Sequence, residues 1–98
     1  MWFNLFNYKK KAEANKAKVI KNDVKIFKKL CLKEFKLNIS RGKTITFVDF
    51  CLNVSRDFQH EIANIVLDEL RREHKDIDFS FSFRHCENSY QGIKMVAL

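Results

Sequence analysis

A chain of 98 residues, 46% hydrophobic and 32% charged, has room for one domain with its own core and not for two. Ten Phe, one Trp and two Tyr argue against disorder, and no run approaches the 18 apolar residues that a membrane span needs. The net charge of +7 is sorted along the length: residues 1–43 carry 13 Lys and Arg against Glu13, Asp23 and Glu34, and residues 44–98 carry six against nine acids.

Segregated charge presents a positive surface to something, and nucleic acid, an acidic protein or an anionic membrane are the partners that fit it. With no Pro and two Gly the chain should be mostly regular structure with short turns. Lys outnumbers Arg 14 to five, and Lys, Asn, Ile and Phe supply 40 residues, a bias expected of a low-GC genome or its phages. Cys31, Cys51 and Cys86 are odd in number and form no C-x-x-C pair, and the start lacks a basic signal-peptide region. Free thiols in a cytoplasmic protein are the expectation.

Met1–Tyr8 (MWFNLFNY) is aromatic and apolar, and Lys9, Lys10 and Lys11 follow at once. As a helix it places Trp2, Leu5 and Phe6 on one face; as a strand it alternates. Residues 1–9 are expected to form an N-terminal arm. It could lie at a lipid headgroup boundary through Trp2, Phe3, Phe6, Lys9, Lys10 and Lys11, or pack on the core or a second subunit. In outline this opening, followed later by a helix and a hairpin, is similar to the cell-division topological-specificity factor family, which opens with a short amphipathic anchor ahead of basic residues. The similarity covers Met1 to Lys18 and the coarse order of later elements. That family's contact segment is not matched by Lys18–Phe27, so no residue role is carried over.

From about Lys10 to Leu37 the period is helical. Ile20, Val24, Phe27, Cys31 and Phe35 step by four, three, four and four along one face. Lys18, Lys21, Lys25, Lys29, Lys33 and Lys36 follow the same spacing on another, with Lys28 beside them. At a rise of 1.5 Å that stripe runs roughly 27 Å. Ser40-Arg41-Gly42-Lys43 reads as a turn. Phe35, Leu37 and Ile39 alternate before it and Ile45 and Phe47 after it, so two outcomes compete: a hairpin with strands near 34–39 and 43–48, or a helix to about 37 with one strand over 44–52.

Ser55 is a candidate N-cap, with Asp57 in the first turn and Phe58, Ile62, Ile65 and Val66 forming a helical stripe to about Lys75. Phe47, Cys51 and Val54 fit the same stripe, which allows an earlier start. Ile77, Phe79, Phe81 and Phe83 then alternate with Asp78, Ser80, Ser82 and Arg84, the pattern of a strand with one buried face. Glu87-Asn88-Ser89 supplies a turn, and Ile93, Met95 and Ala97 a closing strand.

The chemistry-bearing patterns are weak. His60-Glu61-Ile62-Ala63-Asn64 has Asn where a zinc helix needs its second His. Arg84-His85-Cys86, with Glu87 and Tyr90, could hold an acid–base pair, but alternation sends Arg84 and His85 to opposite faces. Glu69 with Glu73, and Asp76 with Asp78, read as a solvated acidic patch. No catalytic residue, metal site or cofactor is assigned.

The expectation is therefore one α+β domain over residues 1–98: a long basic helix, a strand or hairpin, a second helix, and a C-terminal antiparallel hairpin, in one antiparallel sheet packed by both helices. A β-α-β-α-β-β variant follows if the first residues form a strand. The leading function is a non-enzymatic basic protein that engages nucleic-acid backbone through Lys18, Lys21, Lys25, Lys29, Lys33, Lys36, Arg41 and Lys43. The excess of Lys over Arg argues against base reading. One alternative is a protein-interaction module, such as a phage or mobile-element inhibitor of a host or defence complex, with the same lysines facing an acidic protein. Another is a peripheral membrane adaptor held by the aromatic N-terminus. A homodimer is compatible with all three.

Overall fold

The computed structural model describes the backbone of residues 2–50, 56–83 and 90–98, and the side chains of 7–50, 57–82 and 92–98. The order is α1 (Trp2–Ser40), β1 (Ile45–Asp49), a 3-10 turn (Arg56–Phe58), α2 (Gln59–Glu73), β2 (Ile77–Phe83) and β3 (Tyr90–Ala97). This is the α+β architecture expected, with a three-stranded antiparallel sheet ordered β1-β3-β2.

Two sequence alternatives fall. The chain is helical from Trp2, so the six-element variant with a leading strand is excluded. The hairpin over 34–39 is excluded too, because α1 continues to Ser40. Its core face runs on past Cys31 to Phe35 and Asn38, and Asn38 Nδ2 donates to Thr46 Oγ1 at 2.9 Å, so leaving the helix early would lose that packing. What stops the helix is a Schellman turn. The Gly42 N–H donates to Ile39 O at 3.0 Å and the Lys43 N–H to Asn38 O at 2.9 Å, with Gly42 at φ +79°. An early start for α2 is excluded at Phe47, which lies in β1; Cys51, Val54 and the Ser55 cap lie outside the described residues.

The core sits between the sheet and the two helices. Val24, Phe27 and Cys31 of α1, Ile62, Ala63, Val66, Leu67 and Leu70 of α2, Val48 and Phe50, Ile77 and Phe79, and Ile93 and Met95 are buried. Ile65 leaves the expected α2 stripe and is exposed, because the buried face steps through 62, 66 and 70. Phe81 is half-buried and packs on the cluster, 6.5 Å from Phe50 between ring centres, whereas the Phe83 side chain lies outside the described set.

Alternation fixes the sheet faces. Thr46, Val48, Phe79, Ile93 and Met95 point to the helices, while Ile45, Phe47, Asp78, Lys94 and Val96 share the open face. α1 packs over β1, and α2 over β2 and β3. Both helices run opposite to β1, so they are parallel to each other, as the Lys16–Glu61 and Lys28–Glu73 pairs require.

α1 sets the outline. Thirty-nine residues at 1.5 Å give about 58 Å, close to the long axis of 61 Å. The radius of gyration, 16.3 Å, exceeds the ~13 Å of a compact chain this long. Asn7 to Val19 are all exposed.

Candidate nucleic-acid interface

An amphipathic helix that buries Val24, Phe27 and Cys31 must turn the residues half a turn away to water, and these are lysines. Lys18, Lys21, Lys25, Lys29, Lys33 and Lys36 are all exposed, and none makes an ion pair with an acid among the described residues. Arg41 and Lys43, in the turn that ends α1, are exposed as well and extend the row past the helix end. An unbroken helix holds these charges at fixed spacing, so the row is straight.

Lys28 departs from its neighbours. It sits on the flank toward α2, where its Nζ donates to Glu73 at 2.6 Å and Glu69 at 3.3 Å. Its side chain is only 17% exposed. Burial pulls the ammonium pKa down, but the hydrogen bonds and charges of Glu73 and Glu69 outweigh this and leave it raised. The Lys28 hydrogen bond holds the Glu73 carboxyl below its ordinary value. Glu69 and Glu73 are thus a clamp between helices, and the reading of them as a solvated patch is corrected. Sequence spacing could not reveal it, since the partners lie 41 and 45 residues from Lys28.

Beneath the lysine row lies a groove of about 740 Å³ between α1 and α2. Ile20, Val24, Leu32 and Ile65 form its apolar floor, and Lys21, Lys25 and Lys29 stand at its margin. Nothing in the periodicity marks this groove, because it depends on where α2 crosses α1.

The N-terminal set is divided. Trp2, Phe3 and Phe6 fall in the first turns of α1 with side chains outside the described residues; Lys9, Lys10 and Lys11 are exposed. Tyr8 is 65% exposed, with Lys11 Nζ 5.7 Å from its ring centre, so at this residue the arm does not pack on the core. Lys16 reaches α2 instead, 3.0 Å from Glu61 and 5.2 Å from the centre of the Phe58 ring.

The remaining candidates scatter. His60 and Asn64 are exposed on α2. Arg84, His85, Cys86 and Glu87 lie outside the described residues, as does the Tyr90 side chain. Among the described residues no three His, Cys, Asp or Glu side chains converge as metal ligands, and no helix is long and apolar enough to cross a membrane. Cys31 is fully buried, and burial pushes its thiol up to about 12.

No family model, curated protein or solved structure matches the chain.

Proposed function

We propose that this is a non-enzymatic binding protein that engages the sugar–phosphate backbone of nucleic acid through the lysine face of α1. One observation carries the reading: six exposed lysines lie on one face of a continuous helix over roughly 27 Å, and none of them makes an ion pair with an acid among the described residues. Each like-charged pair one turn apart costs the helix a few tenths of a kcal/mol. A polyanion removes that cost and releases its own counterions, so binding should be tight at low salt and weaken steeply as salt rises. Lysine ammonium groups are point charges, suited to phosphate more than to base edges, which points to binding without sequence preference.

The groove favours a second reading, a protein partner. An apolar floor with lysines on its margin suits an acidic amphipathic helix laid beside α1.

Titration of nuclease-treated protein against duplex and single-stranded nucleic acid over a salt series separates the two. The first reading expects retardation at about 0.15 M salt, the physiological range in which electrostatic binding is already partly screened. Failure to retard either form there, together with a folded protein partner that survives nuclease treatment in pull-down, supports the second.

A further inference from the structure

We infer that the groove between α1 and α2 takes an acidic amphipathic helix of a protein partner, and that this helix excludes nucleic acid from α1 because both bind the same lysines. The groove is assigned on its own geometry, and the exclusion rests on the proposal that the lysine face binds nucleic acid.

The two walls differ in charge. Along the α1 margin Lys21, Lys25 and Lys29 are exposed, and none of them makes an ion pair with an acid among the described residues. Along α2 the acids are already matched. Glu61 is met by Lys16 at 3.0 Å, Glu69 by Lys28 at 3.3 Å and Asp68 by Arg72 at 3.3 Å. The groove therefore offers positive charge on one side and a neutralised edge on the other. An occupant needs acids only along the edge that lies against α1.

Spacing identifies the class of occupant. Lys21, Lys25 and Lys29 follow one another at four residues, so the charges repeat about every 6 Å and span about 12 Å. A partner helix with acids four residues apart repeats its charge at the same interval. A single-headed amphiphile would use one lysine and leave two. A second copy of α1 does not fit, because its acids are Glu13, Asp23 and Glu34, which are not four residues apart.

Between the walls the floor is aliphatic, made by Ile20, Val24, Leu32 and Ile65. None of the described lining residues is aromatic, so a base has nothing to stack on, whereas a stripe of Leu or Ile at three- and four-residue spacing buries itself there. On α1 the lining runs from Ala17 to Leu32, about 22 Å, which is four turns of a partner helix.

The same three lysines are half of the row that meets phosphate. A helix in the groove neutralises them, so the two ligands compete, and the partner is an antagonist of nucleic-acid binding.

The probe is a synthetic peptide of about 16 residues, long enough for four turns, with Leu at three- and four-residue spacing and Glu at every fourth position along one edge. Its control has the same composition in scrambled order. Anisotropy of the labelled peptides with full-length protein, at about 0.15 M salt to screen loose charge attraction, should show binding of the patterned peptide and about tenfold weaker binding of the control. The methyl resonances of Ile20, Leu32 and Ile65 should shift on addition of the patterned peptide. Ile65 is exposed and outside the core, so Ile65→Gln keeps the fold and the charge; it should weaken the peptide by about tenfold and leave nucleic-acid affinity unchanged. Added peptide should raise the apparent Kd for nucleic acid in proportion to its concentration, without a plateau. Equal binding of the two peptides overturns the inference, as does peptide affinity unmoved by Ile65→Gln, or a peptide that binds without displacing nucleic acid. A protein that binds nucleic acid and not the peptide overturns the inference alone. A protein that takes the peptide and never binds nucleic acid overturns the exclusion together with the lysine-face reading.

Discussion

Lys28 of α1 and Glu73 of α2 meet at 2.6 Å, and with Glu69 they hold the two helices in parallel register. The pair makes stability depend on pH at both ends. Glu73 titrates below 4.5 in the fold, so its contribution is full above that value and is lost as pH falls through its lowered folded pKa. Lys28 titrates above 10.5, so its contribution is full below that value and is lost as pH rises through its raised folded pKa. Lys28→Gln should lower the melting temperature at neutral pH, because Glu69 and Glu73 then repel one turn apart. It should also shrink the losses in acid and in alkali. Thermal melts of both proteins across the pH range check this, and parallel curves would reject the clamp.

Gly92 is required by a close approach. A Cβ there would lie 2.1 Å from Val48 O, 2.9 Å from Val48 C and 3.0 Å from Asp49 Cα, all backbone atoms of β1. Gly92→Ala must push β1 off β3, and should cost at or above the roughly 1–3 kcal/mol typical of overpacking. Gly42→Ala meets no neighbour and should cost only the left-handed penalty of about 1–2 kcal/mol. Denaturant unfolding of the two variants gives the comparison.

Aromatic truncation should follow burial. Phe27 and Phe79 are sealed, with the Phe27 ring tilted against that of Phe50 at 5.0 Å between centres, so Phe27→Ala and Phe79→Ala should each cost about 3–5 kcal/mol. Phe81 is half-buried and should cost less, although strand alternation alone ranks it with Phe79. Equal losses at Phe79 and Phe81 in denaturant unfolding would contradict this order.

These cases show what the sequence can carry. Val24, Phe27 and Cys31 and the alternating Ile77–Phe83 were legible because each element buries one face, and a face is a period. Phe35, Leu37 and Ile39 were ambiguous because they alternate while also continuing a helix; the packing of Asn38 on Thr46 resolves it, a contact across the turn that periodicity does not reveal. The lysine row was legible as periodicity, and its exposure follows from the burial opposite. The Lys28 clamp, the groove at Ile65 and the edge position of β1 were not, since each depends on which elements become neighbours.

Cys31 should behave as an inert core thiol. With no exposed surface and a pKa pushed to about 12, it holds almost no thiolate at neutral pH, and thiolate is the reactive form. Peptide mapping after brief alkylation of native protein should find Cys31 unmodified, and denaturant should unmask it. Native labelling at a rate near that of a free thiol would show that α1 lifts from the sheet far more often than its packing implies.

The lysine face gives the most direct test of function. Lys21, Lys25, Lys29 and Lys33 are exposed on α1, clear of the residues that hold the core. Changing all four to Gln keeps helix propensity and removes four charges. The fold should hold, or gain slightly, because repulsion between neighbouring turns disappears. Affinity for nucleic acid should fall at every salt concentration. The slope of log affinity against log salt should flatten by about 0.7–0.9 for each phosphate that is no longer neutralised, and this slope is the decisive quantity. A fall in affinity at constant slope would mean that the substitutions disturbed the helix rather than its pairing with phosphate. An unchanged affinity and slope would remove the α1 lysine face as the binding surface and direct attention to the groove beneath it.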